Sequence, residues 1–166
     1  MSVLIRPRTS VDLDACAAAL RIVHEVDHYP ETWPTDPAAW LSPPKLLAAV
    51  VAIRDGSVVG HVGLGASSGT PEGVRESAGT EAIVSVIRLY VVPAARRAGA
   101  GTRLLTAAVG MAADRGRRAV LTVTSDSAAA IAMYERLGWR HVHTGPGGWR
   151  TTTDGHDPQV RHYMSP

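Results

Sequence analysis

The segment "PAARRAGAGTRLL", residues 93–105, places two arginines directly in front of two closely spaced glycines. It follows a β-branched run, "AIVSVIRLYVV" at residues 82–92, and leads into a pattern with helical spacing over residues 101–114. A strand, a glycine-rich turn and the start of a helix together form a phosphate-binding arrangement, because backbone N–H groups converge where the helix dipole favours negative charge. The segment therefore predicts an anion-binding turn in an α/β fold.

Two familiar nucleotide-binding loops do not fit this turn. A P-loop requires a lysine directly after its second glycine, whereas Gly101 is followed by Thr102. A dinucleotide fingerprint requires a third glycine where Leu104 stands. The turn by itself therefore does not identify its ligand, and a simple helix-entry turn stays open.

Composition and charge limit the class of protein. The chain has 166 residues, of which 45% are hydrophobic and 19% charged, as expected of one soluble domain. A net charge of +2 does not indicate a nucleic-acid partner, and apolar runs of strand length do not indicate a membrane partner. The N-terminus lacks a signal pattern, and the single cysteine, Cys16, suits a reducing compartment, so a cytoplasmic location is expected. Cys16 lies among alanines and is expected to pack rather than react.

Strands and helices alternate along the rest of the chain. Two apolar runs divided by Asp55 and Gly56 predict a β-hairpin. A first helix is expected from an N-cap at Ser10 to near Asp27 or His28, because Pro30 disfavours helical geometry in the residue before it. The sequence also predicts a strand at residues 3–7, a polar loop at 67–80, a strand buried on both faces at 82–92, a buried strand at 119–125, a helix at 126–138 and closing strands at 139–144 and 159–164.

Two motifs in the right order resemble those of the GCN5-related N-acetyltransferase (GNAT) superfamily. The segment "RLYVVPAARRAGAGTRLL" resembles its phosphate-binding motif, and "AIAMYERLGW" resembles its second signature. The resemblance implies one domain over residues 1–166, an α/β fold with a mixed, mostly antiparallel central sheet flanked by helices. The matching residues are Arg96, Gly99 and Gly101 in the first motif and Ala130, Tyr134, Gly138 and Trp139 in the second.

The resemblance implies acetyl-CoA as co-substrate and no metal. Backbone amides of the turn would bind the pyrophosphate with help from the Arg96 side chain, and the preceding strand end would hold the pantetheine arm and the thioester carbonyl. Ser127 replaces the asparagine that usually begins the second motif. The implied cofactor-binding residues are Leu89, Tyr90, Val91, Arg96, Arg97, Ala98, Gly99, Ala100, Gly101, Thr102 and Ser127.

The same resemblance assigns Tyr134 as the general acid that protonates the leaving thiolate. Many relatives carry a glutamate base on the central strand, at the position where this chain has Ser85. The base therefore stays unassigned, with Glu81 and His28 as the predicted alternatives. His61, within an alternating strand pattern, is expected to be structural.

The stretch "HEVDH", residues 24–28, matches the zinc-protease pattern H-E-x-x-H. Pro30 ends the helix at the second histidine, and no third ligand is evident, so a zinc hydrolase is only an alternative. In the acetyltransferase reading this segment helps to form the acceptor pocket. The residues predicted to bind the acceptor are His24, Glu25, Asp27, His28, Tyr29 and Trp33.

These features predict an N-acetyltransferase that transfers acetyl from acetyl-CoA to a primary amine by direct attack. A non-catalytic acyl-CoA-binding module is the other alternative, because the strand glutamate is missing. Peptide N-termini, lysines, polyamines, antibiotics and small amino compounds all stay open as acceptors. A homodimer is also open, since the resemblance is to a family in which dimers are common.

Overall fold

The computed structural model describes residues 2–67, 70–149 and 155–166 and arranges them into seven strands, five α-helices and two 3₁₀ turns. The 3₁₀ turns are Ser10–Asp12 and Pro93–Ala95. The helices are α1 (Leu13–Asp27), α2 (Pro37–Leu41), α3 (Glu72–Ala78), α4 (Ala100–Asp114) and α5 (Ala128–Arg136). The strands are β1 (Leu4–Pro7), β2 (Leu46–Arg54), β3 (Ser57–Ala66), β4 (Ile83–Val91), β5 (Arg118–Thr124), β6 (Arg140–Pro146) and β7 (Gln159–Met164).

The strands form one sheet in the order β1-β2-β3-β4-β5-β7-β6. Every neighbouring pair is antiparallel except β4 and β5. That parallel pairing runs only from Ile83 opposite Arg118 to Ser85 opposite Val120, so the second halves of the two strands diverge and leave a cleft. The predicted α/β fold with a mixed, mostly antiparallel sheet is confirmed.

Helices α1 and α4 pack on opposite faces of the sheet. Gly60 of β3 faces α4, since a Cβ built on it would lie 3.0 Å from the Leu104 side chain. The next residue, His61, faces the other way and stacks on Tyr90, whose hydroxyl donates to the carbonyl of Cys16 in α1. Cys16 is fully buried, and burial raises the pKa of its thiol to about 11, as suits a packing residue.

The first helix begins differently from the prediction. Ser10 is not its N-cap: Thr9 precedes a 3₁₀ turn, and its N–H donates to the Asp12 carboxylate at 2.7 Å before α1 starts at Leu13. The Arg6 guanidinium donates to both oxygens of the same carboxylate at 2.8 Å and holds its pKa well below the usual range. The start is therefore fixed by Arg6 in β1, which helix-capping rules do not consider. The predicted end near Asp27 or His28 is confirmed.

The polar loop predicted at residues 67–80 contains helix α3, so that prediction was wrong for Glu72–Ala78. Positions 68 and 69 lie outside the described residues. The helix is held by Val74, which is fully buried in a cluster with Ile83, Val120 and Met164. A single buried residue produces no periodicity that a sequence pattern could detect.

Strand β4 is also less buried than predicted. Ile83 and Val84 are buried, but the residues from Ser85 to Leu89 are only partly buried, and β5 pairs with β4 no further than Ser85. The predicted hairpin, helices α4 and α5 and closing strands are confirmed to within a few residues at their ends. None of the helices in the described residues is long and apolar enough to cross a membrane.

Candidate active site

A β-bulge in β4 marks the point where the cleft opens. His61 pairs with Tyr90 and Gly63 with Ile87, so two steps along β3 match three along β4, and Arg88 adopts a positive φ of 54°. Such a bulge bends the strand and leaves backbone groups outside the ladder. Backbone N–H groups in this position can face a ligand that lies between β4 and β5.

His61 stabilises this bulge from the side of the sheet on which α1 packs. Its Nδ1 donates to the Arg88 carbonyl at 2.8 Å, and its Nε2 accepts from the Arg8 guanidinium at 3.0 Å. This pairing requires the neutral ring, and burial lowers the pKa of His61 to about 4. His61 is structural, as the sequence indicates, but its connection to Arg8 and to the bulge was not predicted.

The three strand residues predicted to face the donor do not behave alike. Leu89 and Val91 are half-exposed, whereas the Tyr90 side chain is buried toward α1. Tyr90 can therefore reach a ligand in the cleft only through its backbone.

The glycine turn leads directly into the cleft. Arg97 and Gly99 have positive φ values of 65° and 81°, and α4 begins at Ala100 without a side-chain cap. The first N–H groups of a helix have no partner within it, so those of Ala100, Gly101 and Thr102 are available to an anion. Ala98 is exposed beside them. A pyrophosphate group therefore fits the chemistry of this turn.

Arg96 is engaged elsewhere. Its guanidinium forms an ion pair with Asp27 at the end of α1, and its Nε donates to the Val91 carbonyl at 3.1 Å. Arg97 is exposed and makes no hydrogen bond or ion pair with another described residue. Arg97 thus carries charge that is free to meet a phosphate group, whereas the motif in the sequence assigns that role first to Arg96.

Tyr134 lies in α5 beside the start of α4. The neighbouring Met133 sulfur lies 3.6 Å from where a Cβ on Gly101 would be. The Tyr134 ring is 8% exposed and packs near Trp139 and Tyr163, with centroid distances of 6.4 and 6.1 Å. No hydrogen bond joins its hydroxyl to the rest of the described chain, and burial raises its pKa to about 12. The phenol therefore stays protonated near neutral pH and has a proton to donate.

Ser127 directly precedes α5, but its hydroxyl does not cap the helix. It forms a 2.6 Å hydrogen bond with the hydroxyl of Thr124, at the end of β5. The pair closes the turn between strand and helix, so Ser127 has less freedom to bind a ligand than the sequence implied.

The two predicted bases lie in different places. Glu81 precedes β4, has an 84% exposed side chain and pairs with Arg75 at 3.6 Å. The extended strand from Ile83 to Leu89 alone spans about 20 Å, so the position of Glu81 argues against a role as base. His28 is the exposed C-cap of α1, in the left-handed region with a φ of 57°.

Residues 24–28, at the end of α1, do not form the zinc site that their sequence pattern allowed. His24 donates from Nδ1 to the Pro30 carbonyl at 2.7 Å, Glu25 pairs with Arg21, and His28 lies outside the regular helix. Within residues 2–67, 70–149 and 155–166, no group of three or more His, Cys, Asp or Glu residues could hold a metal ion. His24 instead packs its ring near Trp33, at 5.4 Å.

Arg88 is a feature that the sequence did not reveal. Its Nε donates to the Trp40 carbonyl at 3.0 Å, and its guanidinium carbon lies 4.0 Å above the centre of the Trp40 ring. Tyr29 meets the same ring edge-on at 6.0 Å. The three side chains form a wall where β4, α2 and the segment after α1 meet. Arg88 and Trp40 are 48 positions apart in the chain, so no local sequence pattern links them.

A family model described as Acetyltransferase (GNAT) family matches residues 15–139, more than half of the chain. The chain therefore belongs to the GNAT acetyltransferase family, and the resemblance found in its sequence is confirmed. A search of curated protein sequences finds no significant match.

Solved structures show the same fold. The ribosomal-protein-S18-alanine N-acetyltransferase of Escherichia coli matches with a TM-score of 0.72 and 20% identity, over 99% of this chain and 94% of the other. The protein yncA of Salmonella typhimurium, solved with its cofactor acetyl-CoA, matches with a TM-score of 0.70 and 23% identity, over 99% of this chain and 93% of the other. NAA60 of Arabidopsis thaliana, in complex with acetyl-CoA, matches with a TM-score of 0.76 and 18% identity, over 98% of this chain and 97% of the other. Family and neighbours together support an acetyltransferase that uses acetyl-CoA.

Proposed function

We propose that this protein transfers the acetyl group of acetyl-CoA directly to a primary amine. The observation that carries the proposal is the meeting of three features at one cleft. These are the bulge of β4, the uncapped N-terminus of α4 and the Tyr134 hydroxyl, which has no hydrogen-bond partner in the described chain. Together they offer groups for a carbonyl, a pyrophosphate and a leaving thiolate.

The donor is bound mainly by backbone in this proposal. The N–H groups of Ala100, Gly101 and Thr102 bind the pyrophosphate, and Arg97 adds charge. The backbone of Leu89 and Val91 holds the pantetheine arm, and an N–H group at the bulge polarises the thioester carbonyl. Arg96 acts indirectly by fixing the turn to Asp27 and Val91.

The chemical step needs a free amine and a proton for the leaving group. The amine nitrogen attacks the thioester carbon, a C–N bond forms, and the C–S bond breaks. Tyr134 donates its proton to the departing sulfur and is reprotonated by solvent, while the amine gives up its proton to a base. His28 stays the predicted base, and Glu81 is left out of the proposal because of its position.

A substitution of Tyr134 tests this proposal. We expect Tyr134→Phe to lower the rate of CoA release by about a hundredfold or more, since general acids contribute at that level. The melting temperature should change little, because the hydroxyl makes no hydrogen bond with another described residue. Thiol release from acetyl-CoA is measured with a panel of amines covering peptides, polyamines and amino acids.

Tyr163→Phe is the matched control. Its hydroxyl donates to Glu135 at 2.9 Å and has no part in the proposed chemistry, so the variant should lose about 1 kcal/mol of stability and keep its rate. Equal rates for wild type and Tyr134→Phe would remove Tyr134 from the mechanism. Background rates with every amine, combined with tight acetyl-CoA binding, would instead favour the non-catalytic acyl-CoA-binding module, in keeping with Ser85 in place of glutamate.

A further inference from the structure

We infer that the acceptor is a small amine that also carries an acidic oxygen group, such as a carboxylate, and that Arg88 binds this group. The inference rests on the proposed function, because it assumes that an amine enters the cleft. It goes further in naming the second chemical group of the acceptor. The acceptor would thus be an amino acid or a close analogue.

The Arg88 guanidinium is held in a fixed orientation, but its two terminal nitrogens still have hydrogen-bond donors to offer. Trp40 supplies a carbonyl for its Nε and a ring beneath its plane, which together fix the orientation of the fork. Its two terminal nitrogens make no hydrogen bond with any other described residue. A guanidinium held by one edge presents the geometry that binds a carboxylate through two parallel hydrogen bonds.

Arg88 also lacks a counter-ion. Ion pairs in the described part of the chain involve Arg6, Arg21, Arg75 and Arg96, and none involves Arg88. The side chain is half-buried, and its burial lowers its pKa from the usual value. A partly desolvated cation is unfavourable until an anion meets it, so an acidic ligand would gain binding energy here.

The position of Arg88 limits the size of the acceptor. It directly precedes Leu89, in the bulge that the proposed function assigns to the thioester carbonyl. Tyr29 meets the same Trp40 ring from the segment that follows α1. The anion site and the reacting centre therefore face the same cleft, so only a few bonds can separate the amine and the acid of the acceptor. An α-amino acid has this spacing.

The phosphates of the donor are a less suitable ligand for Arg88. Trp40 holds the guanidinium on the side of the sheet covered by α1 and α2. The uncapped turn at Gly99 leads into α4, which packs on the opposite face. Arg88 is therefore placed to act on the acceptor rather than on CoA.

Matched acceptor pairs test the inference. The common amino acids and their carboxamides have the same carbon skeleton and differ in the acid group. The α-amine of the amide is less basic and more often unprotonated at neutral pH, which works against the expected preference for the acid. With the wild type we expect kcat/KM for the preferred acid to exceed that for its amide by about tenfold to a hundredfold, as for a charge-assisted pair. Arg88→Gln should abolish this ratio, and Arg88→Lys should restore part of it. The KM for acetyl-CoA should stay within about twofold in both variants.

Arg115→Gln is the matched control, since Arg115 also donates to a backbone carbonyl but lies at the far end of α4. Calorimetry with the N-acetyl derivatives of the same amino acids, in the presence of CoA, gives a second readout that does not depend on turnover. We expect these acids to bind the wild type and not Arg88→Gln. Equal activity on acids and amides, or equal binding to both proteins, would overturn the inference while leaving the proposed function intact. If none of the amines causes CoA release, that result counts against the proposed function. The calorimetry would then still decide the role of Arg88.

Discussion

At the scale of single residues, His61 is fully buried between Arg8 and the β4 bulge, where its neutral ring joins two groups that are far apart in sequence. Its ordinary pKa is about 6.5, and burial lowers it to about 4 in the folded protein. Between these two values the unfolded chain binds a proton that the folded protein does not. The free energy of unfolding must therefore fall as the pH drops through this window.

We predict that His61→Gln flattens this dependence. Glutamine can still donate to the Arg88 carbonyl and accept from Arg8, but it does not titrate. Urea unfolding at pH 7, 5.5 and 4.5 should show the wild type losing on the order of 3 kcal/mol from this residue across the window, and the variant losing that much less. Parallel pH profiles for the two proteins would mean that His61 is not neutral in the fold.

Tyr134 and Arg88 show which site residues a sequence can reveal. Tyr134 belongs to a contiguous motif on one helix, so its spacing to Gly138 and Trp139 is visible in the chain itself. The orientation of Arg88 depends on its contact with Trp40, which is 48 positions away in the chain. That of His61 depends on its contact with Arg8, which is 53 positions away. Nothing local distinguishes such residues from ordinary strand residues. The turn and the tyrosine proposed to act on the donor could be predicted from the sequence, whereas the wall of Arg88 and Trp40 proposed to face the acceptor could not.

At the scale of elements, the two glycines of the turn have different roles. Gly99 has a φ of 81°, a conformation that residues with a Cβ rarely adopt. Gly101 has ordinary helical geometry, and an added Cβ would only touch Met133 at 3.6 Å and Val91 at 3.9 Å. The sequence pattern treats both as space for a ligand, but the backbone of the protein itself requires only the first.

We therefore predict opposite effects from two alanine substitutions. Gly99→Ala should destabilise the protein by about 1 kcal/mol or more, because it forces alanine into the left-handed region. Gly101→Ala should be neutral or stabilise by up to about 0.5–1 kcal/mol, since alanine favours the helix. Urea unfolding without ligand measures both. Equal destabilisation by the two substitutions would contradict this assignment.

Helix α3 and the start of α1 show why some elements escaped prediction. Helix α3 is fixed by one buried valine, and the beginning of α1 by an arginine from β1. The long, strongly patterned elements, such as the hairpin of β2 and β3, were predicted well because their own residues determine them. Short elements held by distant partners lack such a local signal.

At the scale of the whole molecule, binding of acetyl-CoA across the cleft should stabilise the fold. A ligand present at 100 times its dissociation constant adds about 2.7 kcal/mol. For a domain of this size that corresponds to a rise in melting temperature of about 5 to 10 °C. Thermal unfolding with acetyl-CoA, and with free acetate as control, measures the effect. A melting temperature that does not change at acetyl-CoA concentrations far above micromolar would argue against acetyl-CoA as the donor.

The short seam between β4 and β5 has a consequence for how such a protein can change over time. Within the sheet, only three residue pairs join the four strands β1–β4 to the three strands β5–β7, while α4 packs mainly on β3 and β4 of the first group. If recombination joined two related chains at residues 115–117, just after α4, every antiparallel strand pairing would come from a single parent. Only the three residue pairs between β4 and β5 would form between segments from different parents. Recombination between relatives could therefore exchange α5 and its tyrosine as a unit, while the wall of Arg88 and Trp40 is inherited separately. The proposed general acid and the proposed acceptor wall could then change independently of each other.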